Sequence, residues 1–210
     1  MQKGLGLCGT KGKGAVRIFG AILAGGGARR MGGADKALLG FAGTTLLAQV
    51  IARFAPQVEH LALSANGDPG RFAGFGLPVL PDAQQLGPLA GVLSALRWAA
   101  PLGATAVVTV PVDGPFLPGD LTPRLCLAAE GGLAVAAAQG HIHGTFALWP
   151  VTLAPTLDAF LASDAKPKVM DFARAQGAAL AAFPAAAAFA NLNTPEDLAL
   201  AETALPVVSP

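Results

Sequence analysis

The sequence is poor in the residues that mark several common kinds of protein. Only two cysteines, Cys8 and Cys126, occur in 210 residues, with no Cys-x-x-Cys and no histidine pair beside either. Neither a disulfide framework nor a structural zinc site is expected. Charged residues make up only 13% and the net charge is +1, so no overall basic field exists to attract nucleic acid or an anionic membrane. Long apolar runs are scarce too. The most apolar stretch, Ala178 to Ala190, is shorter than the roughly 20 residues that span a bilayer, and Pro184 interrupts it. Residues 1–16 carry Lys3, Lys11 and Lys13 among glycines, without the continuous apolar core of a secretory signal. They are expected to form a disordered leader, and the protein is expected to stay in the cytoplasm. Residues 17–210 suit one domain, large enough for a single core without covalent staples.

What is present is concentrated in one loop. Ala21-Ile22-Leu23-Ala24 reads as the end of an apolar strand and runs into Gly25-Gly26-Gly27-Ala28-Arg29-Arg30-Met31-Gly32-Gly33-Ala34-Asp35-Lys36. Glycines let backbone N–H groups approach an anion, and the arginines and lysine add full charges, so the loop suits a nucleoside triphosphate. It is not a Walker loop, because Gly27 and Gly32 are followed by Gly33 instead of lysine. The dinucleotide fingerprint fails as well, since Arg30 occupies its third glycine position. Glycines alone would fit a solvated surface turn; Arg29, Arg30, Asp35 and Lys36 together favour the phosphate site.

The remaining order of elements predicts a mostly parallel, three-layer α/β sheet of Rossmann-like type. A helix is expected near Thr45 to Phe54, strands at Val58 to Leu63 and Leu77 to Leu80, a helix from Leu89 to Ala99, and a strand from Ala104 to Val110. Beyond Leu127, strands are expected at Leu133 to Ala138 and Thr145 to Trp149, and helices at Thr152 to Leu161 and Val169 to Ala175. Thr194-Pro195-Glu196-Asp197 reads as a helix start, with Thr194 as cap and Asp197 reaching back. Ligands of such sheets bind outside the carboxyl ends of the strands, where Asp82 and Asp113 fall. A rigid carboxylate in Pro111-Val112-Asp113-Gly114-Pro115-Phe116, facing a triphosphate loop, suits Mg²⁺, which keeps several waters and takes few protein ligands. A turn-capping role is the alternative for Asp113. His141 and His143 could share one strand face, but two histidines without a third ligand favour a structural or acceptor-side role over zinc.

The loop Leu-Ala-Gly-Gly-x-Ala-Arg-Arg-Met-Gly-Gly-x-Asp-Lys closely resembles the signature of the molybdenum cofactor guanylyltransferases, a family with the nucleotidyltransferase fold. Gly87-Pro88-Leu89-Ala90-Gly91, the Asp113 turn and the closing Asn191-Leu192-Asn193-Thr194-Pro195-Glu196-Asp197 resemble that family too, over roughly Ile18 to Glu202. The resemblance implies transfer of GMP from GTP to molybdopterin with release of pyrophosphate. It implies nucleotide contacts at Leu23, Ala24, Gly25, Lys36, Asp82 and Asp113, a metal ligand in Asp113, and molybdopterin contacts at Asn191 and Asn193. Arg30 and Lys36 would neutralise the leaving pyrophosphate, and no general base is needed for an already ionised phosphate nucleophile. Asp35 would orient the loop. Protein partners implied are a molybdenum insertion protein, a GTP-binding accessory protein and molybdoenzyme apoproteins.

The chain departs from the family pattern in places. Ser64 replaces an asparagine, leaving Asn66 as the stronger nucleotide contact on that strand end. His143 is followed by Gly144 instead of proline, and Lys166-Pro167-Lys168-Val169 stands where the family carries arginine before Lys-Val, keeping the basic charge but displacing it. A cytidylyl-transferring relative, another small-cofactor nucleotidyltransferase and a non-catalytic cofactor-delivery module are the alternatives. Leu23-Ala24-Gly25-Gly26 differs from the Leu-Ala-Ala-Gly of the cytidylyl relatives, and the presence of both Lys36 and Asp113 speaks against a mere delivery module.

Overall fold

A computed structural model describes residues 16–25, 35–81, 87–163 and 167–204. All of the expected leader except Val16 lies outside them, as do Arg30 and Asp82. The chain opens with β1 (Ile18–Leu23), whose last five residues are buried. The short hairpin strands β2 (Gly40–Phe41) and β3 (Thr44–Thr45) precede helix α1 (Leu46–Phe54). Thr45 caps α1 by accepting from Ala48 N at 3.2 Å, and a 3-10 turn containing Pro56 ends it. Next come β4 (Leu61–Ser64), β5 (Val79–Leu80) and α2 (Pro88–Ala99), then β6 (Ala106–Pro111) and α3 (Leu121–Ala129). Gly87, at φ +79°, launches α2 with Pro88 at its first position. The rest comprises β7 (Ala134–Ala138), β8 (His141–Pro150), α4 (Ala154–Ser163), α5 (Val169–Ala175), β9 (Ala179–Phe183) and α6 (Pro195–Ala204).

Seven strands form one sheet in the order β5-β4-β1-β6-β8-β7-β9. Pairing is parallel from β5 to β6 and between β7 and β9, and β8 is antiparallel to both its neighbours. Leu47, Val50 and Phe54 of α1 and Leu121 and Leu125 of α3 bury against one face. Leu89, Leu93 and Leu96 of α2, Leu157 and Leu161 of α4 and Phe172 of α5 cover the other. The expected three layers are therefore present. Each of these Leu, Val and Phe side chains contributes about 1.5–3 kcal/mol through burial. The polar Thr109, fully buried in β6, is satisfied: Trp149 Nε1 donates to its hydroxyl at 2.9 Å, and that hydroxyl donates to the Thr145 carbonyl at 2.9 Å.

The expected elements appear with shifted ends, and α3 and β9 join them. The strand expected from Val58 begins at Leu61, because the 3-10 turn of residues 55–57 carries the chain past Pro56 first. The strand expected from Thr145 begins at His141. Register places Leu23 beside Ser64 on one side and beside Pro111 on the other, so β1, β4 and β6 end level with one another. The loops that follow therefore share one edge of the sheet.

Gly20 in the middle of β1 faces Phe54, Val58 and Leu61, and a Cβ there would lie 2.8–2.9 Å from a side-chain atom of each. Gly20→Ala is expected to cost about 1–3 kcal/mol by overpacking. Equilibrium urea unfolding measures this, and a midpoint equal to the parent's would show that the three side chains yield freely.

Candidate active site

Strand-end alignment brings Leu23, Ala24 and Gly25 beside the Ser64-Ala65-Asn66 segment and the Asp113 turn. Ala24 N donates to the Ser64 carbonyl at 2.8 Å, and Val112 N donates to the Leu23 carbonyl at 3.0 Å. Leu23 itself turns its side chain into the α2 core, whereas Gly25 is exposed. Asn66 sits half-buried at the β4 end, its side-chain nitrogen 4.0 Å from where a Gly25 Cβ would stand. Ser64 is only 2% exposed, and a Cβ on Gly91 of α2 would come within 2.6 Å of its hydroxyl. The serine is thus a packing position under α2, whereas Asn66 lies next to Gly25.

Lys36 lies on a 3-10 turn (Lys36–Leu38) that Asp35 caps by accepting from Ala37 N at 3.0 Å. Its ammonium donates to Asp113 Oδ2 at 2.8 Å and to Asn193 Oδ1 at 2.8 Å. With 12% of the lysine side chain and 20% of the aspartate exposed, this is a partly buried, charge-assisted pair. Asp113 is joined to the closing segment a second time, since Leu192 N donates to its carbonyl at 2.9 Å. Leu192 is itself buried with Phe41 and Leu46, so the hairpin and α1 fix the segment that carries Asn193.

The closing segment follows its sequence pattern. Asp197 accepts from Asn193 N at 2.8 Å and Thr194 N at 2.9 Å, while its own N–H donates to Thr194 Oγ1 at 3.1 Å. These backbone donors at the start of α6, with Lys36 nearby, hold the Asp197 carboxyl below the usual carboxylate range.

Beside this cluster lies a groove of about 390 Å³, lined among others by His143, Gly144, Lys168, Met170 and Asn191. His143 stacks on Phe189 with ring centroids 4.5 Å apart, and its Nε2 is shielded from solvent with no hydrogen-bond partner. Burial, with the His141 charge adding to it, pushes the His143 imidazole below its ordinary value. Gly144 matters by its size: a Cβ there would approach Val169 and Met170 at 3.0 and 3.1 Å. Lys168 at the rim supplies a cation to the groove.

The structure thus brings Lys36, Asp113 and Asn193 into contact, with Leu23, Ala24, Gly25 and Asn66 on the adjoining strand ends and Asn191 on the groove. Among the described residues no three His, Cys, Asp or Glu side chains gather to hold a metal ion. A lone carboxylate fits Mg²⁺ bound jointly with phosphate oxygens, and does not fit an all-protein zinc cage. Arg71 was not apparent from sequence. It reaches Asp35 Oδ2 at 2.6 Å from a 3-10 segment (Pro69–Phe75), and the one local signal is the Asp68-Pro69-Gly70 turn that starts the segment.

Comparison with known proteins identifies the family and the fold. Residues 20–202 match the model of a MobA-like NTP transferase domain. The chain is 60% identical over 190 residues to a molybdenum cofactor guanylyltransferase of Cereibacter sphaeroides, covering 90% of this chain and 98% of that one. It is 52% identical over 195 residues to a protein of the same name from Rhodobacter capsulatus, covering 90% and 97%. In fold it resembles the crystal structure of molybdopterin-guanine dinucleotide biosynthesis protein A from Archaeoglobus fulgidus, with a TM-score of 0.69 at 20% identity, over 88% of this chain and 97% of that one.

The Asp197 cap gives a pH dependence. A carboxyl whose pKa is lowered by folding stabilises the fold above its unfolded value of about 4, and this is lost as pH falls through the lower folded value. Asp197→Ala is therefore expected to melt below the parent at neutral pH, with the gap closing on acidification below about pH 4. Paired thermal melts across that range test it; a gap independent of pH would mean that the carboxylate's charge is not involved.

Proposed function

Because the chain belongs to the MobA-like NTP transferase family and stands among its molybdenum cofactor guanylyltransferases, we propose that the Lys36–Asp113–Asn193 cluster is where GMP passes from GTP to molybdopterin. An oxygen of the molybdopterin terminal phosphate attacks the α-phosphorus of GTP in line. The bond from that phosphorus to the β-phosphate oxygen breaks, pyrophosphate leaves, and a guanine dinucleotide form of the cofactor results. The single observation that carries the reading is the position of Lys36 Nζ, which touches both the strand-end carboxylate and the closing asparagine.

Leu23, Ala24, Gly25 and Asn66 take the nucleoside end of GTP, with Asp82 and Arg30 joining the nucleotide side from outside the described residues. Lys36 supplies a positive charge for the triphosphate as charge builds on the departing pyrophosphate. Asp113 would hold Mg²⁺, which when bound neutralises phosphate charge and polarises the α-phosphate. Asn191 and Asn193 orient the acceptor, and the groove under His143 and Lys168 has room for it. No residue is required to remove a proton. Positioning and charge supply the catalysis.

The direct test is pyrophosphate release by pure protein with Mg²⁺ and each of the four nucleotides, with and without molybdopterin. Release that requires molybdopterin and favours GTP is expected; acceptor-independent release, or none, would overturn the reading. Asp113→Ala is expected to lower turnover by about 10³-fold, ~4 kcal/mol of transition-state stabilisation, with the fold retained and the melting temperature lowered by the loss of a Lys36 partner. Activity within a few-fold of the parent would remove Asp113 from the site.

Base choice gives a second test. Gly25 presents backbone where the cytidylyl relatives carry alanine, leaving room for a purine at the β1–β4 strand ends. Gly25→Ala is expected to lower GTP preference over CTP by at most roughly 1–3 kcal/mol, the scale of one methyl group. Competition kinetics measure the ratio, and an unchanged ratio would place the base elsewhere.

A further inference from the structure

The guanidinium of Arg71 holds three acceptors at once, two in the loop just before it and one on the distant Asp35 turn. Nε donates to Asp35 Oδ2 at 2.6 Å, Nη1 to the Asp68 carbonyl and Nη2 to the Asn66 carbonyl. Its Cζ lies 4.4 Å from the centre of the Phe72 ring, and Phe72 is anchored in the core at 1% exposure. Asp35 spends its other oxygen on Ala37 N, within the turn that carries Lys36. Asn66 is the residue assigned above to the nucleoside end of GTP. The fork of one arginine therefore spans from the phosphate-handling lysine to the strand end assigned to the base side.

A guanidinium suits this task because its five N–H donors are fixed in one plane and are never deprotonated, so all three acceptors can be held together. An ammonium is a single point of charge with a different reach. Asp35 and Arg71 are both about three-quarters withdrawn from solvent, which keeps water from competing strongly for the pair.

We propose that Arg71 is a positioning residue for the nucleotide, fixing the separation between the β4 end at Asn66 and the Lys36 turn so that base and triphosphate are bound by one rigid cleft. The idea rests on the nucleotide-site reading above, but not on the identity of the acceptor. A ligand that bridges both ends should depend on Arg71 more than a ligand that occupies the phosphate end alone.

The test compares binding of GTP and of inorganic triphosphate, each with Mg²⁺ and without acceptor, to the full-length parent, Arg71→Ala, Arg71→Lys and Asp35→Asn. Arg71→Ala is expected to weaken GTP binding by about tenfold, the scale of a lost charge-assisted contact, while triphosphate binding changes by less than about threefold. Arg71→Lys keeps a positive charge near Phe72 and should fold, yet it is expected to recover little of the GTP affinity. The double variant Arg71→Ala/Asp35→Asn is expected to be no worse than the poorer single variant, since one bond joins the two. Equal weakening of both ligands would reduce Arg71 to general electrostatics, and full recovery by lysine would remove the fork argument; either overturns the proposal. GTP affinity unchanged in a less stable Arg71→Lys protein would show a purely structural role and overturn it as well. A parent that binds GTP but transfers nothing to molybdopterin would sink the proposed reaction while leaving this comparison intact.

Discussion

The ammonium of Lys36 is the point to which the ends of the chain are tied. It reaches a carboxylate 77 positions away and an amide 157 positions away. A cation this far withdrawn from water is costly unless its lost water is replaced, and here Asp113 and Asn193 replace it together. Several other features serve to present those two oxygens. Level endings of β1, β4 and β6 set the Asp113 turn beside Leu23, the Leu192 N–H ties that turn to the closing segment, and the Asp197 cap fixes the backbone of Asn193. Removing any one of these supports would leave the lysine with a partner of uncertain position and the site with a misplaced charge.

The reversed strand β8 decides where the groove lies. If β8 ran parallel to β6, its first residues would lie at the far edge of the sheet. Because it runs antiparallel, with Thr109 opposite Ala147, its opening residues His143 to Thr145 reach the edge where β6 ends. The groove that begins there is thus adjacent to Lys36 and Asp113 by topology. Alanine makes the neighbouring layer thin. Ala134, Ala136 and Ala138 of β7 are buried beside Phe146, Phe183 and Phe189, so a few aromatic rings supply the bulk that small strand residues lack.

The parallel half of the fold was legible because its signals are local: apolar strands that stop at Gly25 or Pro111, a Pro after glycine that opens α2, and a threonine that caps α1. The helix α3 was not, since Pro123 stands inside its first turn and its cap is completed from afar. Gln57 accepts from Thr122 N at 3.1 Å and donates to the Pro118 carbonyl at 2.9 Å, contacts that no local pattern announces. Strand β9 was hidden for a different reason: Ala179-Leu180-Ala181-Ala182-Phe183 has too little contrast between its faces to show a period of two, and only pairing with β7 makes it a strand. Within the site, Lys36, Asp113 and the two asparagines stood out through spacing and resemblance. Arg71 did not, because its importance lies in reaching three backbone and side-chain oxygens that are neighbours only after folding. The burial of Ser64 under α2 was likewise hidden, because sequence alone does not set exposure at a strand end.

The contact between Leu192 and Asp113 has a consequence for how the protein comes into being on the ribosome. The strands that end at Leu23, Ser64 and Pro111 all emerge well before Asn193, and domains tend to begin folding from their amino-terminal side during synthesis. A nascent chain can therefore pair β1, β4 and β6 and bring Lys36 to Asp113 early, while the lysine waits for its amide partner until Asn193 has left the ribosome.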